Sequence, residues 1–296
     1  MKSALSQLEL SRPANLAHAL RLLADSLGSE RLTPLAGGTD LFVYLNAGSH
    51  EGARFLDLSG LAELRGLRVT ADGALRVGAL TTFRELGAHP KVAKGWPSLA
   101  AAAHVIGAAQ IQNRATIGGN IANASPAGDS LPVLLAHEAI VHVVSVRGER
   151  AIPFASLYTG YRRLATAEDE LILSVELPAA PRGAIAFFRK VGTRAAQSIS
   201  KVVFAGLLHA GRGGAPDLAR LAWGSVAPVP VRASRAEAAL LGTPPSRAAA
   251  AAALAALESD IAPIDDIRSD RAYRMAVARN LLAQFLRTAH PAYSRP

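Results

Sequence analysis

The sequence predicts an α+β protein of two or three packed units, and three observations lead to this fold class. The chain has 296 residues, of which 50% are hydrophobic and 19% charged, as expected for a globular protein longer than one average domain. Glycine-rich segments separate short apolar runs in its first part. Its last third carries candidate strands followed by helices, an order typical of an α+β domain with a small antiparallel sheet.

The first unit, about residues 1–55, has the pattern of a strand, a helix, a second strand and a loop. The helix is predicted from four leucines spaced along one face, with Gly28 placed to end it. These leucines are Leu16, Leu20, Leu23 and Leu27. The second strand covers the short run from Leu32 to Leu35 and leads into a Gly-Gly loop.

The second unit, residues 56–178, mixes strands with one clear helix. Strands are indicated by Leu75-Arg76-Val77 and by the apolar run 141–146. An alanine-rich helix begins at Pro97 and continues to His104. The unit closes on an apolar strand over 171–177, which Pro178 ends.

The third unit, residues 179–296, places three predicted strands before two predicted helices. A glycine-rich hairpin loop over 211–216 separates the second and third strands. The strands are 184–190, 202–209 and 220–226, and the helices lie near 247–258 and 271–287.

Two glycine segments carry the strongest functional signal. The first is Ala36-Gly37-Gly38-Thr39-Asp40, and the second begins with Thr116-Ile117-Gly118-Gly119-Asn120 and ends at Asp129. Glycines let a backbone approach a ligand and direct its N–H groups at an anion, while Thr or Asn adds another donor. We therefore predict a diphosphate cradle for a dinucleotide. The alternatives are an ordinary Gly-Gly turn, a helix cap at Thr116 and a turn tied by Asn120.

Several other classes of function have no support in the sequence. It contains no Gly-x-Gly-x-x-Gly fingerprint after a strand, no P-loop and no Gly-x-Ser-x-Gly elbow. The histidines are isolated, which predicts no metal site, and no side chain stands out as catalytic. Because cysteine is absent, any iron–sulfur cluster must be bound by a partner. A cofactor is therefore expected to carry the chemistry.

Charge and hydropathy limit the partners and the location. The formal net charge is +9, but Lys and Arg are scattered rather than grouped in a basic stripe, so no nucleic acid partner is expected. A positive surface suits an acidic partner or a phosphorylated ligand. No run approaches the roughly 20 apolar residues of a membrane span, and Met1-Lys2-Ser3-Ala4-Leu5 leads into polar sequence. We expect a cytoplasmic protein with no membrane contact.

Five groups of residues occur in a fixed order along nearly the whole chain. They are Ala36-Gly37-Gly38-Thr39-Asp40-Leu41; Ala115-Thr116-Ile117-Gly118-Gly119-Asn120 with Asp129; Gly160-Tyr161-Arg162-Arg163 before Glu170-Leu171-Ile172-Leu173; Lys190; and Ile264-Asp265-Asp266-Ile267-Arg268 with Tyr273-Arg274. In this order they resemble the FAD-binding medium subunit of the xanthine dehydrogenase and carbon monoxide dehydrogenase family, the molybdenum hydroxylases.

The resemblance implies a two-subdomain FAD-binding domain of the PCMH type over 1–178, with subdomains at about 1–55 and 56–178. A C-terminal α+β domain of the carbon monoxide dehydrogenase flavoprotein type over 179–296 would cover the flavin side. The implied cofactor is FAD. The implied FAD contacts are Leu35, Ala36, Gly37, Gly38, Thr39, Asp40, Ile106, Gly107, Thr116, Gly119, Asn120, Asp129, Ile172 and Lys190.

The resemblance also implies a role for each group of these residues. The loop from Leu35 to Thr39 would wrap the pyrophosphate with its amides, and Thr116, Gly119 and Asn120 would form the second wall of the site. Asp129 would hold the ribose or ribityl side, Lys190 would lie at the polar rim of the isoalloxazine ring, and Ile172 would lie near the flavin or adenine edge. Ile106 and Gly107 would line the adenine end.

The residues alone leave several of these roles open. Asp129 is equally suited to cap the following helix, and Lys190 has the pattern of an exposed cation at a strand end. Asp265-Asp266 lie before the last predicted helix and read as structural. Arg162-Arg163 would meet either the cofactor phosphates or a partner subunit.

The leading hypothesis is the FAD subunit of a molybdenum hydroxylase. It would receive electrons from a [2Fe-2S] small subunit and pass them to NAD or another acceptor, while a molybdopterin large subunit oxidises the substrate. Such an assembly is a heterotrimer. The alternatives are a stand-alone flavin oxidase and a flavin-binding sensor.

Overall fold

The α+β class is confirmed by the computed structural model, which describes residues 8–28, 31–50 and 52–294. These residues form a three-stranded, a five-stranded and a four-stranded sheet, together with a two-stranded ribbon. Helices cover the sheets and connect them, so that three groups of buried side chains form the cores.

The N-terminal sheet is parallel, with the strand order β1-β3-β2. Its elements are β1 (Glu9–Ser11), α1 (Leu16–Asp25), β2 (Thr33–Leu35), α2 (Leu41–Ala47) and β3 (Arg54–Asp57). The helix α1 begins where the Asn15 side chain accepts a hydrogen bond from the His18 N–H. The predicted helix face was wrong at Leu27, which lies beyond the helix and is 48% exposed. The chain leaves the helix at Ser26, whose hydroxyl donates to the Leu23 carbonyl.

The five-stranded sheet of the middle part is antiparallel, in the order β4-β5-β10-β6-β7. Its strands are β4 (Leu67–Val69), β5 (Leu75–Gly78), β6 (Ile140–Ser145), β7 (Gly148–Pro153) and β10 (Leu171–Leu177). The ribbon consists of β8 (Tyr158–Gly160) and β9 (Arg163–Leu164). The helices are α3 (Phe83–Ala88), α4 (Pro90–Gly95), α5 (Pro97–Val105), α6 (Ala109–Gln112), α7 (Ile117–Asn123) and α8 (Leu131–Ala136). The strands and the helix predicted for this part are present.

The C-terminal sheet is antiparallel, in the order β11-β12-β13-β14. Its elements are β11 (Ile185–Val191), β12 (Val202–Ala210), β13 (Pro216–Gly224), β14 (Val231–Arg232), α9 (Ser234–Leu240), α10 (Arg247–Asp260) and α11 (Arg271–Ala289). The strand predicted over 220–226 begins earlier, because Pro216 already pairs with Ala210 across the hairpin. It also ends earlier, because Ser225 has the left-handed φ of 65°.

Both faces of the C-terminal sheet are buried. On β12, Phe204 and Leu208 face a core shared with α9, α10 and α11. The alternate residues Ala205 and Leu207 face the core that contains the helices and the five-stranded sheet of the middle part. Since side chains alternate across a strand, one sheet joins the two cores.

Candidate cofactor-binding site

The two glycine segments meet in the structure. A Cβ added to Gly37 would lie 2.0 Å from the Arg114 carbonyl oxygen, so the first loop touches the backbone just before the second segment. An added Cβ at Gly119 would lie 3.9 Å from the Ala36 Cβ. The convergence predicted from the sequence is therefore present.

Several backbone donors of the first loop have no acceptor among the described residues. Gly38 has a φ of 75°, which a residue with a side chain rarely adopts. The N–H groups of Gly37, Gly38 and Thr39 donate to no described residue, although the Gly38 carbonyl accepts from Phe42 at the start of α2. Successive free amides in such a turn form a concave binding site for an anion.

The second segment differs from the sequence expectation, because its glycine N–H groups are already bonded. Thr116 is the N-cap of α7, and its hydroxyl oxygen accepts from the Gly119 N–H at 3.1 Å. The other acceptors at the helix start are carbonyls of the segment after β5. The Ile117 N–H donates to Thr81 at 3.0 Å, and the Gly118 N–H donates to Ala79 at 2.9 Å. The helix start therefore offers no free amide at these three positions.

Side chains remain available on this second wall. The Asn120 carbonyl oxygen accepts from the Ser130 hydroxyl at 2.7 Å, which leaves the NH₂ group of Asn120 to donate elsewhere. The Thr116 hydroxyl accepts from Gly119 and keeps its own hydrogen for another partner. The first wall thus offers backbone donors and the second offers side-chain donors.

A cleft of about 80 Å³ opens where the segments meet. Its walls include residues that the sequence reasoning missed, two of them arginines. The lining residues are Ala36, Gly37, Ser59, Arg65, Leu80, Thr82, Asn113, Arg114 and Thr116. Asn113 and Arg114 directly precede the glycine motif in the sequence, which was the one signal that could have indicated them. Arg65 and Arg114 place positive charge beside the first loop.

Asp129 and Lys190 form a buried ion pair. The Lys190 ammonium lies 2.6 Å from an Asp129 carboxylate oxygen, and each side chain is 8% exposed. Lys190 also donates to the Val105 carbonyl at 2.9 Å, and the Ser200 hydroxyl donates to the other Asp129 oxygen. Burial raises the pKa of Asp129, and the charge and hydrogen bonds of Lys190 and Ser200 offset part of that effect.

This pair resolves two of the open alternatives. Asp129 does not cap α8, whose N-cap is Ser130 without a side-chain cap bond. Lys190 is not an exposed strand-end cation, because its side chain is buried. It lies on the same face of β11 as Ala186 and Phe188, which pack against the core of the middle part. The pair joins the loop before α8 to the C-terminal sheet.

Ile106 and Gly107 lie at the end of α5. Ile106 is buried, and Gly107 has a φ of 55°. A Cβ added to Gly107 would lie 2.6 Å from the Ile111 Cβ, so only glycine fits against α6. The Gly107 carbonyl accepts from the Gln197 N–H at 2.9 Å. Ile172, the other apolar candidate, lies on β10, which packs against α7.

Asp40 lies at the outer end of the first loop, near Arg162. Loss of water around its carboxylate raises the pKa of Asp40, and the Arg162 charge opposes the rise. Arg162 donates to the Tyr44 hydroxyl at 2.9 Å, and that hydroxyl donates to the Asn123 side chain at 3.0 Å. Tyr44 thus links α2 to the end of α7, and Arg162 links the turn between β8 and β9 to α2.

Neither a metal site nor a membrane-spanning helix is found among residues 8–28, 31–50 and 52–294. In that part of the chain, no group of three or more His, Asp or Glu side chains is arranged to hold a metal ion. No helix there is long and apolar enough to cross a membrane.

The fold and the converging glycine segments define a dinucleotide-binding protein of the α+β class. Residues 6–180 match the family described as the FAD binding domain in molybdopterin dehydrogenase, and residues 186–289 match the CO dehydrogenase flavoprotein C-terminal domain. The chain belongs to this family, the FAD-binding medium subunits of xanthine and carbon monoxide dehydrogenase type.

Relatives of known type agree with this assignment. The chain is 32% identical over 280 residues to a xanthine dehydrogenase FAD-binding subunit of Escherichia coli O157:H7, covering 94% of each chain. It is 29% identical over 285 residues to the carbon monoxide dehydrogenase medium chain of Hydrogenophaga pseudoflava, covering 95% of this chain and 96% of that one. A solved structure of carbon monoxide dehydrogenase from that organism superposes with a TM-score of 0.89 at 30% identity, covering 97% of each chain.

The chain is therefore an oxidoreductase subunit of the molybdenum hydroxylase family, and FAD is its cofactor. The residues present fit the diphosphate of that cofactor. Free amides line one side, an arginine-bordered cleft lies between the loops, and Gly119 leaves space where any side chain would project toward Ala36.

Proposed function

We propose that this chain relays electrons through FAD inside a heterotrimer. A small subunit with [2Fe-2S] clusters would deliver the electrons, a large molybdopterin subunit would oxidise the substrate, and NAD or another acceptor would take the electrons up. The observation that carries the proposal is the meeting of a loop with free amides and a second glycine segment in a chain of this family. The absence of cysteine supports it, because iron–sulfur clusters then require another chain.

The diphosphate is proposed to lie between the two glycine segments. The N–H groups of Gly37, Gly38 and Thr39 are free to donate to its oxygens. Thr116 and Asn120 would donate from the second segment, because the Thr116 hydroxyl hydrogen and the Asn120 NH₂ group are not used in the bonds that their oxygens accept. The neighbouring Leu35, Ala36 and Asp40 complete the first loop, and Gly119 provides clearance.

The Asp129–Lys190 pair is proposed to lie beside the flavin part of the cofactor. FAD supplies the electron and hydride chemistry, and the protein binds, orients and tunes it. A Lys190 ammonium held in place by Asp129 and the Val105 carbonyl would stabilise negative charge on a nearby ring. Asp129 would also meet the ribose or ribityl hydroxyls, while Ile106, Gly107 and Ile172 would form apolar or backbone walls.

The boundaries 1–178 and 179–296 are proposed for the FAD-binding and C-terminal domains. The exposed connection at 181–183 supports a boundary there. The cytoplasmic location stays a prediction.

Stopped-flow spectroscopy tests the relay. The chain would be loaded with FAD and mixed with its chemically reduced iron–sulfur partner, and flavin absorbance near 450 nm would be followed. We expect rapid bleaching that depends on the partner, followed by recovery when NAD⁺ or another acceptor is added. Flavin that binds but is not reduced by the partner would indicate a sensor.

A second measurement separates the relay from a stand-alone oxidase. The isolated, FAD-loaded chain would be offered small alcohols and amines with oxygen. We expect no turnover at enzyme-like rates, since the sequence offers no evident catalytic base. Sustained oxygen consumption by the chain alone would overturn the relay.

A further inference from the structure

A buried arginine in helix α11 is linked through Ser225 to the loop 125–130, which precedes α8. Arg274 on α11 is 5% exposed. One of its terminal nitrogens donates to the Ser225 carbonyl at 3.0 Å, and the other donates to an Asp266 carboxylate oxygen at 2.7 Å. Arg274 therefore connects the Ile264–Arg268 motif to the end of β13.

Ser225 is the next link. Its φ of 65° is unusual for a residue with a side chain, and the residue is buried. Its N–H donates to the Pro126 carbonyl at 2.9 Å. The preceding Gly224 allows this approach, because an added Cβ would lie 3.0 Å from Pro132 Cγ and 3.3 Å from the Pro126 oxygen. The strand end is thus held against the loop before α8.

That loop carries Asp129 and a partner of Asn120. Ser125 accepts from the Gly128 N–H at 2.9 Å, so the turn is closed from Ser125 to Gly128. Asp129 follows and pairs with Lys190, and the Ser130 hydroxyl donates to Asn120 at 2.7 Å. A displacement of Pro126 would therefore move groups on both sides of the proposed cofactor site.

We propose that Arg274, oriented by Asp266, is a positioning residue for the cofactor site, which it serves by holding Ser225 against Pro126 and so fixing the loop 125–130. The part of this inference that concerns FAD rests on the proposed function. The fixing of the loop does not.

The charge chemistry supports a specific role for the pair. A buried guanidinium costs free energy unless it is paired, and an apolar residue would fill a core position at lower cost. The partial burial of Asp266 alone would raise its pKa. Hydrogen bonds from the Arg268 N–H, the Arg274 guanidinium and the Ser269 N–H outweigh that effect and hold the pKa below its ordinary value. The carboxylate is therefore charged at neutral pH and available to Arg274.

The test compares neighbouring residues of the same type. Asp266→Asn removes the charge that orients Arg274, and Arg274→Lys removes one of its two simultaneous contacts. The matched controls are Asp265→Asn and Arg271→Lys, since that exposed pair lies 3.7 Å apart and touches neither Arg274 nor Ser225. All four variants would be made in the full chain.

Hydrogen–deuterium exchange is the primary readout, measured without FAD on peptides covering 125–131 and 222–228. We expect exchange to rise about tenfold in Asp266→Asn and Arg274→Lys, and to stay at the wild-type rate in both controls. With FAD added, the cofactor-induced rise in Tm should shrink in the two test variants, and the visible circular dichroism of the bound flavin should change. A merely structural role would lower Tm equally with and without FAD.

Wild-type exchange in both peptides of both test variants would overturn the inference. Asp266→Asn keeps the oxygen that accepts from Arg268, Ser269 and Arg274 and removes only the negative charge. If Arg274→Lys does not fold, Asp266→Ala decides in its place, with Asp265→Ala as its control. If the wild-type chain binds no flavin, the proposed function fails, while the exchange measurement on the flavin-free chain still tests the positioning role.

Discussion

Gly37 and Gly119 both belong to the proposed diphosphate site, but glycine is needed at the two positions for different physical reasons. Gly37 faces the Arg114 carbonyl so closely that any Cβ would overlap it. The nearest groups to an added Cβ at Gly119 are the Thr116 hydroxyl at 3.0 Å and the Ala36 Cβ at 3.9 Å. Gly37 lets the first loop contact the backbone at Arg114, and Gly119 keeps space between the two glycine segments.

Alanine at these two positions should therefore separate stability from binding. We expect Gly37→Ala to lower the free energy of unfolding by about 2 kcal/mol or more, because overlapping backbone must move apart. Gly119→Ala should cost little stability, since alanine favours the helix by about 1 kcal/mol, but it should weaken FAD binding. Urea unfolding and flavin fluorescence titration measure the two effects.

Gly95→Ala is the control, because no atom lies within 4 Å of an added Cβ there. It should leave FAD affinity at the wild-type value and raise the free energy of unfolding by at most about 1 kcal/mol, the gain of alanine over glycine in a helix. Normal FAD affinity in Gly119→Ala would mean that the cofactor does not use the space between the loops.

The buried Lys190 can be tested against its neighbour on the same strand. Lys190→Met leaves the Asp129 carboxylate buried without its cation, which should cost about 3 kcal/mol at neutral pH. Arg189→Met, at the exposed neighbouring position, should cost little. FAD affinity should fall only in the Lys190 variant.

The pH dependence of Lys190→Met has a definite sign. Burial already raises the pKa of Asp129, and loss of Lys190 removes the largest opposing effect. A carboxyl whose folded-state pKa is raised stabilises the fold below the unfolded pKa of about 3.9, and this contribution disappears as pH rises through the folded value. Thermal melts should therefore show Lys190→Met closest to wild type in acid and furthest from it above neutral pH. A constant difference at all pH values would contradict this account.

At this scale, the sequence predicted the glycine contacts but not the ion pair. Gly37-Gly38 and Gly118-Gly119 are recognisable in the sequence, because a pair of adjacent glycines indicates a backbone that turns sharply or approaches another group closely. The burial of Lys190 was hidden, since Phe187 and Phe188 are adjacent and obscure which face of β11 points inward. The alternation of buried and exposed side chains along a strand cannot be recognised where two neighbouring residues are both aromatic.

At the scale of elements, α7 begins differently from an ordinary anion-binding helix. Its first N–H groups are bonded to carbonyls after β5 and to the Thr116 hydroxyl. The cap therefore fixes the helix, and the proposed diphosphate would be bound by the free amides of the first loop and by side chains. Helices of seven residues such as α2 and α7 were not predicted, because two glycines oppose helix formation in α7 and tertiary bonds override propensity.

Substitutions at Thr116 should distinguish its two roles. Thr116→Ser keeps the hydroxyl and should remain close to wild type. Thr116→Val loses the cap and should lower the free energy of unfolding by about 1 kcal/mol, and it also removes the hydroxyl proposed to meet the diphosphate. Urea midpoints and FAD dissociation constants would be compared. Equal FAD affinity in the valine and serine variants would restrict Thr116 to capping.

At the scale of the whole molecule, the C-terminal sheet is the element that unites the chain. Its alternating side chains contribute to both large cores, and Lys190 and Ser200 reach from it to Asp129. The sequence predicted three strands and two helices of this part because they are long apolar or alanine-rich runs. It did not predict the short elements β14 and α9. It could not predict which elements cover each face of β12, since a continuous apolar run indicates a buried strand but does not identify what packs against it.

This arrangement predicts that the proposed FAD-binding domain does not bind FAD by itself. A chain ending after Pro181 lacks both C-terminal partners of Asp129 and exposes the apolar surface that Ala205, Leu207 and Ala222 cover. Burial of such surface contributes about 25 cal/mol per Å², so the truncated chain should aggregate or bind a hydrophobic dye. Gel filtration, dye fluorescence and FAD titration measure this.

The control for truncation is a full-length chain cut at a protease site placed in the exposed 181–183 connection. It keeps both parts, and the buried surface between them should hold them together through gel filtration with FAD affinity retained. In calorimetry the intact chain should unfold in one transition, because two parts that share a core cannot unfold independently. A stable truncated chain with wild-type FAD affinity, or two separate transitions in the intact chain, would show that the C-terminal sheet merely adjoins the cofactor site and does not complete it.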